Sequence, residues 1–570
     1  MLQAIARDRD VYDAVIVGSG ATGGVAAWLL AEAGLRVCVL EAGPKITDAD
    51  FTEHVMPYDL KYRGNSARYV GGIPKSPELT RNRPVQRLVY ACRESNYKWF
   101  ADDIRNPYQT PDDKPFHWIR MRVLGGRSLS WGRQSYRMGD IDFRCADRDG
   151  YGENWGIEYE DLVPYYEKVE RYIGIGGIPE GLDHLPDSVF MPPMPFTCGE
   201  KLFRSRLRAR MGRVATIGRT AIITKPLNGR QPCHYCGPCE QGCITHSYYN
   251  SPTTTLKAAL ETGNCDLVVD AVASHVTRDP RTGNAAGVGY LDRNTRAARE
   301  VRGKVVVLCA STLESTRLLM HSADHGLDFN SSGMLGHFLM DHIYRGGAGG
   351  VMPELEAKPW VGMPVRPNGM YLPRFRNIDR PHTNGMIRGY GYQGGSSPGF
   401  RLGAKGFGAK FKQAVHDESQ WSTQFGAWCE CLPRYDNYVV LNKDRRDAWG
   451  LPTLDINFDW CDNDLTLWRD ARVQAAEMLE ATGHKNVRMY GNPSVGGFCI
   501  HEVGTARMGR DPKKSVLNTW TRTNDVNNVF VTDGAAWASI GCQNPTLTMM
   551  AITARTADYI AEEGRKGVWG

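Results

Sequence analysis

No apolar run in this chain reaches the ~18 residues that a membrane-crossing helix needs, so no intrinsic membrane segment is expected. Blocks of like charge are missing too. The net charge of +6 is spread thinly, which excludes a nucleic-acid partner. The opening residues MLQAIARDRDVYDAVIVGSG contain no basic stretch followed by an apolar one, so no secretory leader is expected. That reading favours the cytoplasm, or the periplasm if the chain is exported folded beside a signal-bearing partner. Internal repeats and low-complexity segments are absent, which excludes solenoids, propellers and long disordered tails. No Gly-X-Y period accounts for the 62 glycines, so they mark tight turns and close backbone approaches.

What remains is ordinary for a globular protein: 42% apolar and 23% charged residues. At 570 residues the chain exceeds what one hydrophobic core usually supports, roughly 250–300 residues, so two or more lobes are expected. Of its 15 cysteines, Cys38, Cys92, Cys145, Cys198, Cys265, Cys309 and Cys461 are scattered and read as reduced core residues. Cys233, Cys236, Cys239 and Cys243 instead fall within 11 residues.

The stretch YDAVIVGSGATGGVAAWLLAEAGLRVCVLEAG, ending at Gly43, reads as strand, helix, strand. Gly18, Gly20 and Gly23 form G-x-G-x-x-G between the first strand and the helix. Their expected duties are the tight turn, close approach to a pyrophosphate, and close packing of helix on strand. The helix N-terminus would then offer unpaired N–H groups to the phosphates. Glu41, 18 residues beyond Gly23, is placed to accept from a ribose hydroxyl and disfavours a phosphorylated ribose. The start of the chain fits NAD or FAD. The tail, with a strand ending at Thr532-Asp533-Gly534 and a helix after Pro545, supplies a second contact suited to the longer cofactor.

Elsewhere, residues 44–120 read as loops and short helices, 121–138 as a second glycine-rich element, and 158–173 as a helix. A proline-rich linker is expected over 179–197 and a capped helix in SPTTTLKAALETG. Alternating strands follow over 265–310. Residues 330–490 hold aromatic, strand-like segments and an amphipathic helix near 463–482. The expected class is α/β, with a dinucleotide-binding domain built from discontinuous segments.

Five blocks together resemble the glucose–methanol–choline (GMC) family of FAD oxidoreductases: VIVGSGATGG at 15–24, RVLGGRSLSWG at 122–132, VVVLCASTLESTRLL at 305–319, HEVGTARMG at 501–509 and VTDGAAWASIGCQNPTLTMMAITAR at 531–555. With NYVVLNKDRRDAWGLPTLDINFDW at 437–460, the chain looks most like the branch holding pyranose 2-oxidase, gluconate 2-dehydrogenase large subunits and glucoside 3-dehydrogenase. The resemblance implies an FAD-binding domain over 8–325, a substrate domain over 326–495, and a return to the FAD domain over 496–570. It places Gly18, Gly20, Gly23 and Glu41 on the ADP half, and Gly126, Ser128 and Trp131 along the flavin. Asp533, Asn544 and Thr546 fall at the ribityl and pyrimidine end. Ser130 stands where pyranose oxidases carry a flavin-linking histidine, so non-covalent FAD is expected.

Oxidising an alcohol requires loss of the hydroxyl proton and transfer of hydride from carbon. A neutral imidazole suits the first event, and a side-chain amide suits orienting the hydroxyl. By resemblance, His501 and Asn544 supply these groups beside the flavin. Outside these motifs a lone His would read as a turn cap and a lone Asn as a helix start. His337 and His342 have no such context and read as structural.

The run PCHYCGPCEQGC gives C-x2-C-x2-C-x3-C, a spacing that lets one loop wrap thiolates around an iron–sulfur cluster. Ile244 follows the last cysteine where bacterial ferredoxins carry proline. A zinc site or four unmetallated thiols remain alternatives. The expected activity is oxidation of a secondary alcohol of a sugar or glycoside to a keto-sugar. The expected enzyme is a dehydrogenase that passes electrons to a carrier, with cytochrome, quinone or oxygen as candidate acceptors, and a small partner subunit is compatible with the resemblance. An oxygen-using oxidase, a silent flavin subunit and a non-redox lyase are the competing readings.

Overall fold

The apolar run Tyr12–Val17 forms strand β1, buried at all positions but Asp13. Burial on both faces is what a central parallel strand requires. It pairs in parallel with β2 (Val37–Leu40), from Ala14↔Val37 to Val17↔Leu40. Strand β3 (Cys265–Val268) lies beyond β2. On the other side of β1 runs β4 (Ala298–Leu308), and its last residues pair in parallel with β5 (Val529–Val531). The antiparallel strands Ala285–Asp292 and Ala271–Arg278 continue the sheet from the first half of β4. One sheet thus gathers the start, middle and end of the chain, because parallel neighbours need long crossovers. The computed structural model describes residues 11–63, 76–356, 366–399 and 405–569. The leader reading at residues 1–10 and the domain boundary at residue 8 lie outside them, as does part of the 44–120 excursion.

Helix α1 (Ala21–Glu32) is buried continuously from Thr22 to Ala31, as a helix that is apolar all round must be. It packs between helix Thr255–Glu261 and the terminal helix, while α2 (Thr312–Ser322) follows β4 and α3 (Thr546–Arg565) follows β5. The helix expected in SPTTTLKAALETG begins only at Thr255 and has no side-chain cap bond. Ser251 instead lies wedged beneath α1, where a Cβ on Gly24 would sit 2.1 Å from its Oγ.

The second sheet is antiparallel, in the order Lys485–Tyr490, Ile343–Glu356, Gln420–Cys429, Tyr390–Gly399, Met370–Leu372 and Thr216–Ile217. Helices Asp462–Ala481 and Cys198–Met211 back it, burying Phe203, Tyr392, Phe425, Leu467 and Trp468 between the layers. Cys198, expected in the core, is exposed, because it opens the first turn of its helix. The hairpin Tyr438–Arg446/Pro452–Asn457 leaves this sheet and puts Val439, Leu454 and Ile456 into the first core. The expected helices near 158–173 and 463–482 form at Tyr159–Ile173 and Asp462–Ala481.

Candidate active site

A cavity of about 510 Å³ runs from the β1–α1 turn to the underside of the second sheet. At its first end, Gly18 has φ +98°, and a Cβ there would strike Cys309 O at 2.4 Å. A Cβ on Gly23 would sit 1.9 Å from Gly18 O, so its glycine is needed to seat α1 on β1. Gly20 differs: the nearest heavy atom to its Cβ would be Gly125 O, at 4.0 Å. No protein atom requires glycine there, yet the position faces the cavity. The α1 N-cap, Gly20, makes no side-chain cap bond, which leaves the first N–H groups of the helix directed at this space. Glu41 lines it too. One carboxylate oxygen accepts from the Ser19 hydroxyl and the other from Gly43 N at 2.7 Å, while burial pushes its pKa up.

Along the middle, Gly125 and Gly126 adopt left-handed conformations, φ +87° and +49°, and turn the chain against the cavity. The Ser128 hydroxyl donates to Gly125 O at 2.6 Å and accepts from Ser251 N at 3.1 Å, so it fixes the turn. Trp131 donates from its indole to Tyr249 O at 3.0 Å, and the Ser130 hydroxyl meets Met121 Sδ at 2.9 Å. Asp533 accepts from Ala535 N at 3.0 Å and from the Ser315 hydroxyl, and burial raises its carboxyl to about 6. Thr546 opens α3, whose N-terminus also faces the cavity.

At the far end His501 meets Asn544, with His501 Nε2 3.3 Å from Asn544 Nδ2. Two elements set this pair. Segment 340–342 runs antiparallel to 501–503 through paired bonds between Met340 and Val503. This brings Asp341 beneath the loop, where its two oxygens accept from His501 N at 3.0 Å and Cys499 N at 3.2 Å. Ile500 between them is held at φ +66°, unfavourable for a β-branched residue, and Asp341 pins both sides of it. The same segment sets His342 Nδ1 2.9 Å from His501 Nδ1. From the second sheet, Gln393 Nε2 donates to Asn544 Oδ1 at 2.6 Å. Tyr344, Trp428 and Phe498 form an aromatic wall beside the pair, with Tyr344 and Trp428 ring centres 4.7 Å apart. Burial, then His342 and Arg127, hold His501 well below an ordinary imidazole pKa, so it stays neutral.

The four clustered cysteines are free thiols that share one small cavity. Their loop packs with Ile222 and Tyr248 against Trp131, the residue that also lines the large cavity. Burial raises Cys239 to about 12, and burial with the neighbouring thiols raises Cys236.

Residues 12–344 match the N-terminal model, and residues 433–553 the C-terminal model, of the family described as GMC oxidoreductase. The chain belongs to the GMC oxidoreductase family. It is 29% identical to 2-methyl-1,2-propanediol dehydrogenase of Mycolicibacterium austroafricanum, over 97% of this chain and 95% of that protein. It is 28% identical to the fructose dehydrogenase large subunit of Gluconobacter japonicus, over 97% of this chain and 98% of that one. The solved structure of pyridoxine 4-oxidase from Mesorbium loti shares the fold, with a TM-score of 0.57 at 18% identity, covering 96% of this chain and 98% of that one. GMC oxidoreductases bind FAD. The open Gly20 cradle, the uncapped α1 N-terminus and Glu41 fit the ADP half of that cofactor.

Of the residues expected at the site, Gly18, Gly20, Glu41, Gly126, Ser128, Trp131, His501, Asp533, Asn544 and Thr546 all line the one cavity. Gly23 does not, because its place is the helix–strand contact. Two further residues complete the site: Gln393, which no motif marks, and His342, which reads as structural from its sequence context yet touches His501 directly. Neither sits in a motif, and only the antiparallel neighbours of each strand bring them to the site.

Proposed function

We propose that this chain oxidises a hydroxyl of a sugar or related polyol to a carbonyl, using FAD held without a covalent link. The observation that carries the reading is the His501–Asn544 pair, 3.3 Å apart, at the end of a cavity that begins in a dinucleotide cradle. Bound there, FAD supplies the two-electron acceptor for the hydride. His501 Nε2 takes the hydroxyl proton, and the Asn544 amide donates to the alcohol oxygen as charge develops on it. Tyr344, Trp428 and Phe498 offer flat apolar faces to the C–H side of a sugar ring and exclude water. The lobe built on the second sheet, drawn mainly from residues 326–495 with helix Cys198–Met211 and strand Thr216–Ile217 joined to it, is the substrate domain, and the first sheet with its helices binds the cofactor. The relatives named for a diol and for fructose support a polyhydroxylated substrate.

The cysteine loop favours a dehydrogenase over an oxygen-using oxidase. Its four thiols are the donor set of an iron–sulfur cluster, which would give electrons a route out past Trp131. A carrier protein or small subunit would then receive the electrons, as the name of the Gluconobacter relative suggests. The test is anaerobic addition of D-glucose, D-fructose and 1,2-propanediol to the FAD-loaded protein. Bleaching of the flavin with matching carbonyl product supports the reading. A flavin that dithionite reduces but no polyol does would overturn it.

A further inference from the structure

The hydrogen-bond chain behind His501 has a direction. The Gly541 carbonyl can only accept, so His342 Nε2, 2.5 Å away, carries its hydrogen. His342 is fully buried, and burial lowers its pKa to about 4, so the ring is neutral and Nδ1 bears a lone pair. His501 Nδ1 lies 2.9 Å from that nitrogen, and two lone pairs do not face each other at this distance. The hydrogen of the neutral His501 ring therefore sits on Nδ1, which leaves Nε2 bare. At the other end, Gln393 donates into Asn544 Oδ1 and so turns the Asn544 amide nitrogen toward His501 Nε2. That last contact, 3.3 Å, is the longest of the chain and the one a substrate hydroxyl would enter.

We propose that His342 is a positioning residue: anchored on the Gly541 carbonyl, it holds the His501 proton on Nδ1 and keeps Nε2 free toward the substrate. The proposal rests on His501 being the base. Without His342, only the weaker Cys499 Sγ contact, at 3.4 Å, would remain at His501 Nδ1, so the ring would divide between tautomers, and the one protonated on Nε2 cannot accept a proton. A carboxylate behind the base would also fix the tautomer but would raise its basicity. A neutral imidazole fixes the tautomer alone.

The test uses the FAD-loaded enzyme, anaerobic rapid mixing, and whichever of D-glucose, D-fructose or 1,2-propanediol bleaches the wild-type flavin. His342→Gln keeps both bonds, since its amide oxygen accepts from His501 and its amide nitrogen donates to Gly541. His342→Leu fills the space and keeps neither. The expected result is a limiting flavin-reduction rate about 10²-fold lower in the Leu variant, within the range lost with a misplaced general base, at little-changed substrate affinity. The Gln variant should stay within about threefold of wild type. A Leu variant as fast as wild type, or a Gln variant as slow as Leu with its flavin bound, overturns the proposal. Should the Leu variant fail to fold, nitrogen-15 histidine NMR of the wild type decides, with the His501 signals identified by their loss in His501→Ala. A pattern protonated on Nδ1 supports the assignment, and one protonated on Nε2 overturns it. His501→Ala at wild-type rate would instead remove the base itself, a different failure.

Discussion

Two glycines of one motif should respond to the same substitution in opposite ways. In Gly20→Ala the new methyl finds no protein atom nearer than 4.0 Å, and φ −68° suits any residue, so the apoprotein should fold as before. The methyl projects into the cavity at the α1 N-terminus, where a pyrophosphate must approach the backbone. Crowding by one methyl costs about 1–3 kcal/mol, which is roughly a 5- to 150-fold loss of FAD affinity. In Gly23→Ala the methyl would lie 1.9 Å from Gly18 O and 2.8 Å from Gly18 C, both backbone atoms. They can yield only if α1 lifts from β1, and α1 is buried from Thr22 to Ala31. That variant should lose about 3 kcal/mol or more of stability with or without cofactor. Denaturant unfolding of both apoproteins, with FAD titration by flavin fluorescence, separates the two effects. A Gly20→Ala protein that binds FAD as tightly as wild type would refute the cradle. A Gly23→Ala apoprotein of unchanged stability would refute the packing argument.

Three further outcomes are expected. Acid or guanidinium should release all FAD, because the 125–132 turn carries Ser130, bonded to Met121 Sδ, and no histidine; yellow colour left on the precipitate would contradict this. Anaerobically purified protein should contain several iron atoms per chain, and Cys236→Ser should abolish dye reduction while substrate still bleaches the flavin; fully active protein without iron would refute the cluster. Glu314 is half-buried, and its desolvation raises its pKa, but Arg317 and Arg122 outweigh that and bring it from 4.5 down to about 2. A depressed carboxyl stabilises the fold above its unfolded pKa and loses that contribution as pH falls, so Glu314→Gln should cost up to about 3 kcal/mol at pH 7. The gap to wild type should narrow from pH 4.5 toward 2 in urea unfolding, and a gap that widens on acidification would reverse the sign of the argument.

The sequence made the cofactor end legible because each part of it is local. A strand, three spaced glycines, a helix and Glu41 lie within one short stretch, and the backbone geometry they impose needs no distant partner. Helices such as Asp462–Ala481 were legible from their apolar period. The substrate end was legible only as motifs. His501 and Asn544 stood out by the blocks around them, whereas His342 and Gln393 depend on pairings across the fold. Met340 lies against Val503, more than 150 positions away, and Gln393 reaches Asn544, in the loop before α3, from a strand of the second sheet. Cys198 was misjudged for a related reason: residue type speaks for burial, but its place at a helix start is set by how the helix lies on the second sheet.

The central claim is that His501 removes the hydroxyl proton while the cofactor is held by other residues. Anaerobic rapid mixing of wild-type and His501→Ala proteins, each loaded with FAD to equal absorbance, with a bleaching polyol tests it most directly. FAD content should be equal in the two, and the flavin-reduction rate should be lower by about 10²–10⁴-fold in the variant. Equal rates in the two proteins would contradict it.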